Sequence, residues 1–258
     1  MLRSLKELER CVVEATDGGI GSVQDFYFDD ESWVVRYLVV DTGEWLAGRK
    51  VLISPHSIGG LAADGKSLSA SISREQVKNS PAIDPDKPGA RARERGYFAY
   101  YGYPYYWDGA GLWGENAHPG MTVGGVAYAD PASEIEAERE QHVNPHLRSC
   151  NAVARYYLHA SDGEIGHVQG YLIDDKSWAI RFLIVNTSNW WLGHQVLIAP
   201  QWIEDVSWLD STVTTDLTRQ AVKHSPAYDP EALPDAGAER ALFQHYGRSE
   251  YQKTRTKR

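Results

Sequence analysis

The pattern of apolar and polar positions along this chain of 258 residues runs through twice. Residues 15–107 and 160–252 align at a constant offset of 145 without a gap, and 36 of the 93 paired positions are identical. A period of that length is a whole domain, because solenoid repeats run only roughly 20 to 50 residues. In each copy an apolar segment leads into Asp17-Gly18-Gly19 or Asp162-Gly163-Glu164, and Asp-Gly between apolar runs signals a hairpin. A second strand is predicted over Ile20–Phe28 and Ile165–Ile173, followed by tight turns at 29–32 and 174–177. The third strand, Trp33–Val40 and Trp178–Val185, is apolar on both faces except for Arg36 and Arg181, so it belongs inside a sheet. The fourth, Lys50–Ser54 and Gln195–Ala199, is stopped by Pro55 or Pro200, which lacks the N–H that a ladder needs. The fifth alternates Leu68, Ala70 and Ile72 with serines, and Val213, Thr215 and Leu217 with Thr212, Thr214 and Asp216. One face is buried and the other wet.

Helices follow the strands. Ser73 and Thr218 are good N-caps, and Ser73-Arg74-Glu75-Gln76 fits a capping box. Ser80-Pro81 and Ser225-Pro226 stop these short helices. A second helix is predicted over 91–101 and 238–246, closed by Gly102 or Gly247. The expected fold is mainly β: two tandem small β-barrels with short accessory helices, related by a pseudo-two-fold. The expected domains are a first repeat over 1–107, a Gly- and aromatic-rich linker over 108–152 packed on the barrels, and a second repeat over 153–258 with a basic tail. A short helix is expected over 134–142. A duplicated domain carries the same patch twice, so the barrels are expected to pair within the chain, and homo-oligomers stay open.

The glycine turn followed by Gly21-Ser22-Val23 or Gly166-His167-Val168, the Trp-led strand and the Val-Leu-Ile-Ser/Ala-Pro strand together resemble the PRC-barrel family. That fold occurs in the cytoplasmic part of the photosynthetic reaction-centre H subunit and in the C-terminal domain of a ribosome-maturation factor. The trailing Asn79-Ser80-Pro81-Ala82-Ile83-Asp84-Pro85 and His224-Ser225-Pro226-Ala227-Tyr228-Asp229-Pro230 are similar to those of bacterial two-barrel proteins of the family. The resemblance implies a docking or assembly module, associated with a membrane or ribosomal complex, without catalytic machinery of its own.

Charge narrows the partners. Residues 1–130 hold 13 Lys+Arg against 18 Asp+Glu and the remainder 13 against 17, so both halves are acidic and nucleic acid is disfavoured. The basic exception is the tail from Lys253 to Arg258. Cys11 and Cys150 are not equivalent in the repeat, and they read as free thiols of a reducing compartment. No run of roughly 20 apolar residues spans a bilayer, and the N-terminus has no signal-peptide core. A cytoplasmic protein is expected, with peripheral membrane association left open.

Chemistry is sparse. No Ser-His-Asp pattern, phosphate loop or CxxC is placed on a fitting element, and neither a catalytic group, a cofactor nor a metal is expected. His142 and His146 have helical ligand spacing, broken by Pro145. Gln24 and Gln169 match between copies and read as surface amides. Arg36 and Arg181 require partners, and Asp29 with Asp30, and Asp174 with Asp175, are the candidates for structural ion pairs. Trp45, Leu46, Trp190 and Trp191 lie in a strand-connecting loop, and Tyr103, Tyr105 and Trp107 in an aromatic run. These residues are the candidate partner surface, because Trp and Tyr are favoured anchors. The leading function is a non-catalytic protein-interaction module. Two others stay open: a small-molecule binder with a pocket between the barrels, and an enzyme of unknown reaction.

Overall fold

The structure, a computed structural model, describes residues 1–81, 91–120, 146–187 and 194–248. Trp190, Trp191, His142, the expected helix over 134–142 and the basic tail lie outside the described residues. Two seven-stranded sheets carry the fold. The first repeat comprises β1 (Leu2–Ser4), α1 (Leu5–Leu8), β2 (Val12–Ala15), β3 (Gly18–Asp29), β4 (Val34–Asp41), β5 (Lys50–Ile53), β6 (Ile58–Leu61), β7 (Ser67–Ala70), α2 (Arg74–Asn79) and α3 (Arg91–Tyr101). The second comprises β8 (Leu147–Ser149), α4 (Cys150–Val153), β9 (Tyr157–Ala160), β10 (Gly163–Asp174), β11 (Ile180–Asn186), β12 (Gln195–Ile198), β13 (Ile203–Ser207), β14 (Thr212–Thr215), α5 (Arg219–Lys223) and α6 (Ala236–His245).

One sheet runs β5-β4-β3-β2-β7-β6 and the other β12-β11-β10-β9-β14-β13, strand for strand. The Trp-led strand is internal in both, as its two apolar faces require, and every residue from Val34 to Val40 is buried. Antiparallel pairs dominate, while β2–β7 and β9–β14 are parallel. The bulges are duplicated too: the register slips between Val23 and Asp25 and between Val168 and Gly170. Gln24 and Gln169 are the extra residues of those bulges, which lets a polar side chain leave the ladder without shifting the apolar set to the wrong face. The predicted capping box on α2 is formed. Strands β6 and β13 were not foreseen; Gly59-Gly60 and Glu204-Asp205 carry no strand pattern, and pairing with β7 and β14 forms them.

The two repeats exchange their first strands. β1 pairs with β10 of the second sheet and β8 pairs with β3 of the first. Leu2-Arg3-Ser4 and Leu147-Arg148-Ser149 are identical at the same offset of 145, so the structural repeat begins at Leu147, inside the expected linker. Asp30 N–H donates to His146 O at 2.9 Å and Asp175 N–H to Met1 O at 3.0 Å. Asp30 then accepts from Arg148 at 2.8 Å while Asp175 faces Arg3 at 3.7 Å. Asp25 ties down the start of α4 by accepting from Ser149 Oγ and, at 3.1 Å, from Asn151 N–H. Burial raises its carboxyl above the ordinary range, against those hydrogen bonds.

A pseudo-two-fold axis runs through the bridge between Val34 and Ala179. Val35 N–H donates to Trp178 O at 2.9 Å and Ile180 N–H to Trp33 O at 2.7 Å. Trp33 and Trp178 have φ of 54° and 59°, a left-handed conformation that costs a non-glycine residue on the order of 1 kcal/mol. That strain turns each carbonyl towards the other repeat. Phe28 meets Tyr171 across the same seam with ring centroids 6.1 Å apart, and the buried side chains of both repeats form one continuous cluster.

Candidate functional site

The charge in the middle of β4 is accommodated by a cap. Arg36, 2 % exposed, lies between two aromatic rings, its guanidinium 4.0 Å from the Tyr106 centroid and 4.7 Å from that of Trp113. It donates to the Leu112 carbonyl and to Ser32 Oγ. Ser32 Oγ in turn donates to Asp29 at 2.8 Å. The expected Arg36–Asp29 pair is therefore relayed through a serine, with Asp29 turned to cap its own turn. Burial lowers the guanidinium below its ordinary value, opposed first by the charge of Asp29.

Beside this cage Glu94, fully buried, accepts from Tyr37 Oη at 2.9 Å and Tyr106 Oη at 2.8 Å and faces Arg91 at 3.4 Å. Burial and then the charge of Glu94 push both phenols well above their usual range. In the second repeat the equivalent residues meet directly: Arg181 donates to Glu239 at 2.7 Å, with both side chains partly exposed. The carboxylate on Arg181 is Glu239, where Asp174 and Asp175 were expected. Asp174 instead caps its turn through Ser177, and both acids face the Met1 ammonium. Glu94 and Glu239 are identical across the repeat, which was the available signal.

His56 sits in the same cluster. Its ring stacks on Tyr103 at 5.0 Å and meets Trp113 at 4.9 Å edge to face. Nδ1 donates to the Pro119 carbonyl, and Nε2 is buried with no hydrogen-bond partner. Burial lowers its pKa to about 4, with Arg36 adding to the effect. A folded pKa below the unfolded 6.5 means that the unfolded chain binds the proton more readily, so this group costs stability as pH falls from 6.5 through 4. The loss approaches about 3 kcal/mol. The second repeat has Gln201 at this position. His56→Gln is therefore expected to flatten the pH dependence of urea unfolding between pH 7 and 4, and a parallel wild-type and variant profile would refute the assignment.

The proposed aromatic surface is largely engaged at home. Trp45 Nε1 donates to the Ile20 carbonyl, and Arg74 lies 4.4 Å over the ring. Leu46, Tyr105 and Trp107 are partly buried against the core, Tyr105 stacks on Trp107 at 4.9 Å, and Tyr103 Oη meets Ser57 Oγ. Trp113, fully buried in the segment 108–120, donates to the Ser177 carbonyl at 2.7 Å and so joins the cap to the second repeat. A small cleft of about 100 Å³ is lined by Thr187, His194, Lys223 and Ser225 of the second repeat. Among the described residues, no three His, Cys, Asp or Glu gather to hold a metal ion.

Among the described residues the most exposed large apolar side chain is at the tip of the β13–β14 hairpin. Leu209 is 93 % exposed and neighbouring Tyr157 on β9 is 48 % exposed; the two lie on adjoining elements, since Tyr157 N–H donates to Ser211 O at 3.0 Å. Beneath them Trp208 packs on Tyr156 with centroids 6.0 Å apart and carries the Arg148 guanidinium at 3.9 Å. The first repeat has Val12, Ala63 and Asp64 where the second has Tyr157, Trp208 and Leu209. Comparing copies for shared residues passed over this tip; the difference between copies was the signal.

Residues 3–68 match the family model of the PRC-barrel domain. That span runs from β1 to β7, and the second sheet repeats its strand order outside the match. No curated protein matches the chain.

Proposed function

We propose that the chain is a non-catalytic interaction module of the PRC-barrel type, in which the fused pair of barrels is the rigid body and the β13–β14 tip is the contact. The observation that carries this reading is the exposed Leu209 beside Tyr157, set on a base that Trp208, Tyr156 and Arg148 hold in place. An apolar group mounted on ordered aromatics loses little freedom on docking, and such anchors dominate binding energy. The ionisable groups with the strongest perturbations support the same reading. Tyr37, Tyr97, Tyr106, Cys150 and Tyr171 are sealed in the core, where each serves packing or a hydrogen bond.

Affinity capture with the full chain tests the proposal. Wild type is expected to retain a discrete protein that Leu209→Ser loses, with the melting temperature unchanged because the side chain supports nothing beneath it. Equal capture by both chains would remove the tip from the interaction. Trp45→Ala is a poor probe for this purpose, since it removes a bond and a cation–π contact within its own barrel.

A further inference from the structure

We infer that the β13–β14 tip inserts Leu209 into an apolar pocket of a protein partner whose rim carries lysine and arginine; the inference rests on the interaction reading and adds the chemistry of the partner. The charge around the tip selects that chemistry. From Ile203 to Thr218 the sequence holds Glu204, Asp205, Asp210 and Asp216 and no lysine or arginine. Asp216 is paired with Arg248, which leaves three exposed carboxylates. Glu204 and Asp205 lie on β13, and Asp210 follows Leu209. Positions 59 and 60, which match Glu204 and Asp205 in the first repeat, are glycines, so the acidic flank and the apolar tip occur together on one repeat only. The exposed charges of the hairpin itself are all negative, whereas Arg148 under Trp208 is paired with Asp30 and one exposed arginine, Arg155, lies on the neighbouring segment. The hairpin's excess of negative charge disfavours an anionic lipid surface and a second acidic copy of this chain and favours a basic rim. The contact is asymmetric: one partner per chain despite two barrels.

The test uses the full chain. The protein captured by wild type is identified by mass spectrometry and purified, and its affinity is measured for wild type, Leu209→Ser, and the double variant Glu204→Lys with Asp205→Lys. Leu209→Ser is expected to weaken binding at least tenfold, from the burial of one leucine. The charge reversal is expected to weaken it about tenfold at low salt and much less at 0.5 M salt, where exposed charges are screened. An unchanged or tighter affinity for the charge reversal, with Leu209→Ser still weakened, would overturn the basic rim and leave the interaction reading standing. Unchanged affinity for both would overturn both. Vesicles of phosphatidylcholine, alone and with phosphatidylserine, form the second arm, and binding of wild type to either that Leu209→Ser abolishes would overturn the protein partner.

Discussion

Replacing Trp113 with alanine is expected to lower the unfolding free energy by about 4 kcal/mol, the scale for emptying a fully buried tryptophan site. The side chain does three things at once. It covers the Arg36 guanidinium, it packs edge-on against His56, and it bonds the Ser177 carbonyl of the other repeat. Removing it opens a cavity beside a buried charge, which water or an unpaired guanidinium must then occupy. Trp113→Phe separates these roles, because it keeps most of the ring packing and loses the N–H; about 1 to 2 kcal/mol is expected. Both are measured as a shift of the urea midpoint at constant slope. A loss for alanine no larger than that for phenylalanine would mean that the cap contributes only its hydrogen bond.

The other large effect belongs to Gly21 and Gly166. Each is the fourth residue of β3 or β10, with φ of 155° or 142°, and a β-carbon there would overlap the backbone carbonyl of Asp41 or Asn186. Those atoms sit in the ladder between the long strands, so no side-chain rotation relieves the clash. Gly21→Ala and Gly166→Ala are each expected to cost roughly 3 kcal/mol or more, lowering the melting temperature by roughly 6 to 12 °C. Gly43→Ala is the control: its φ is 59° but nothing lies within 4 Å of the added carbon. Calorimetry on the three variants decides the matter. Equal losses for Gly21→Ala and Gly43→Ala would assign the whole cost to dihedral strain.

Much of the fold was legible because turn glycines, prolines and apolar alternation are local signals that the duplication prints twice. The boundaries of β3, β4 and β5 were found within a residue or two at each end, and the capping box on α2 was found as written. The strand exchange was hidden for a physical reason. Leu2-Arg3-Ser4 is too short to show a period, and its partner, residues 172–174, lies about 170 positions away, where only the folded topology brings them together. The ionic partners were misjudged for a related reason: Asp29 and Asp174 are near in sequence, but their oxygens are already used by turn N–H groups at Ser32 and Ser177. In the second repeat the carboxylate comes from the later helix as Glu239, while in the first Asp29 reaches Arg36 through Ser32.

The exchanged strands also impose an order on synthesis. A ribosome releases the first repeat by about residue 107, yet the edge of β3 at residues 27–29 stays open until Leu147-Arg148-Ser149 emerge. At roughly 5 to 20 residues per second that interval lasts several seconds, during which Tyr27, Phe28 and Asp29 offer unpaired backbone to whatever is near. The second repeat meets the opposite situation, for its donor, Leu2 to Ser4, is made before it. Completion is therefore expected to come late and nearly together for both sheets, with the nascent first half the species most in need of a chaperone.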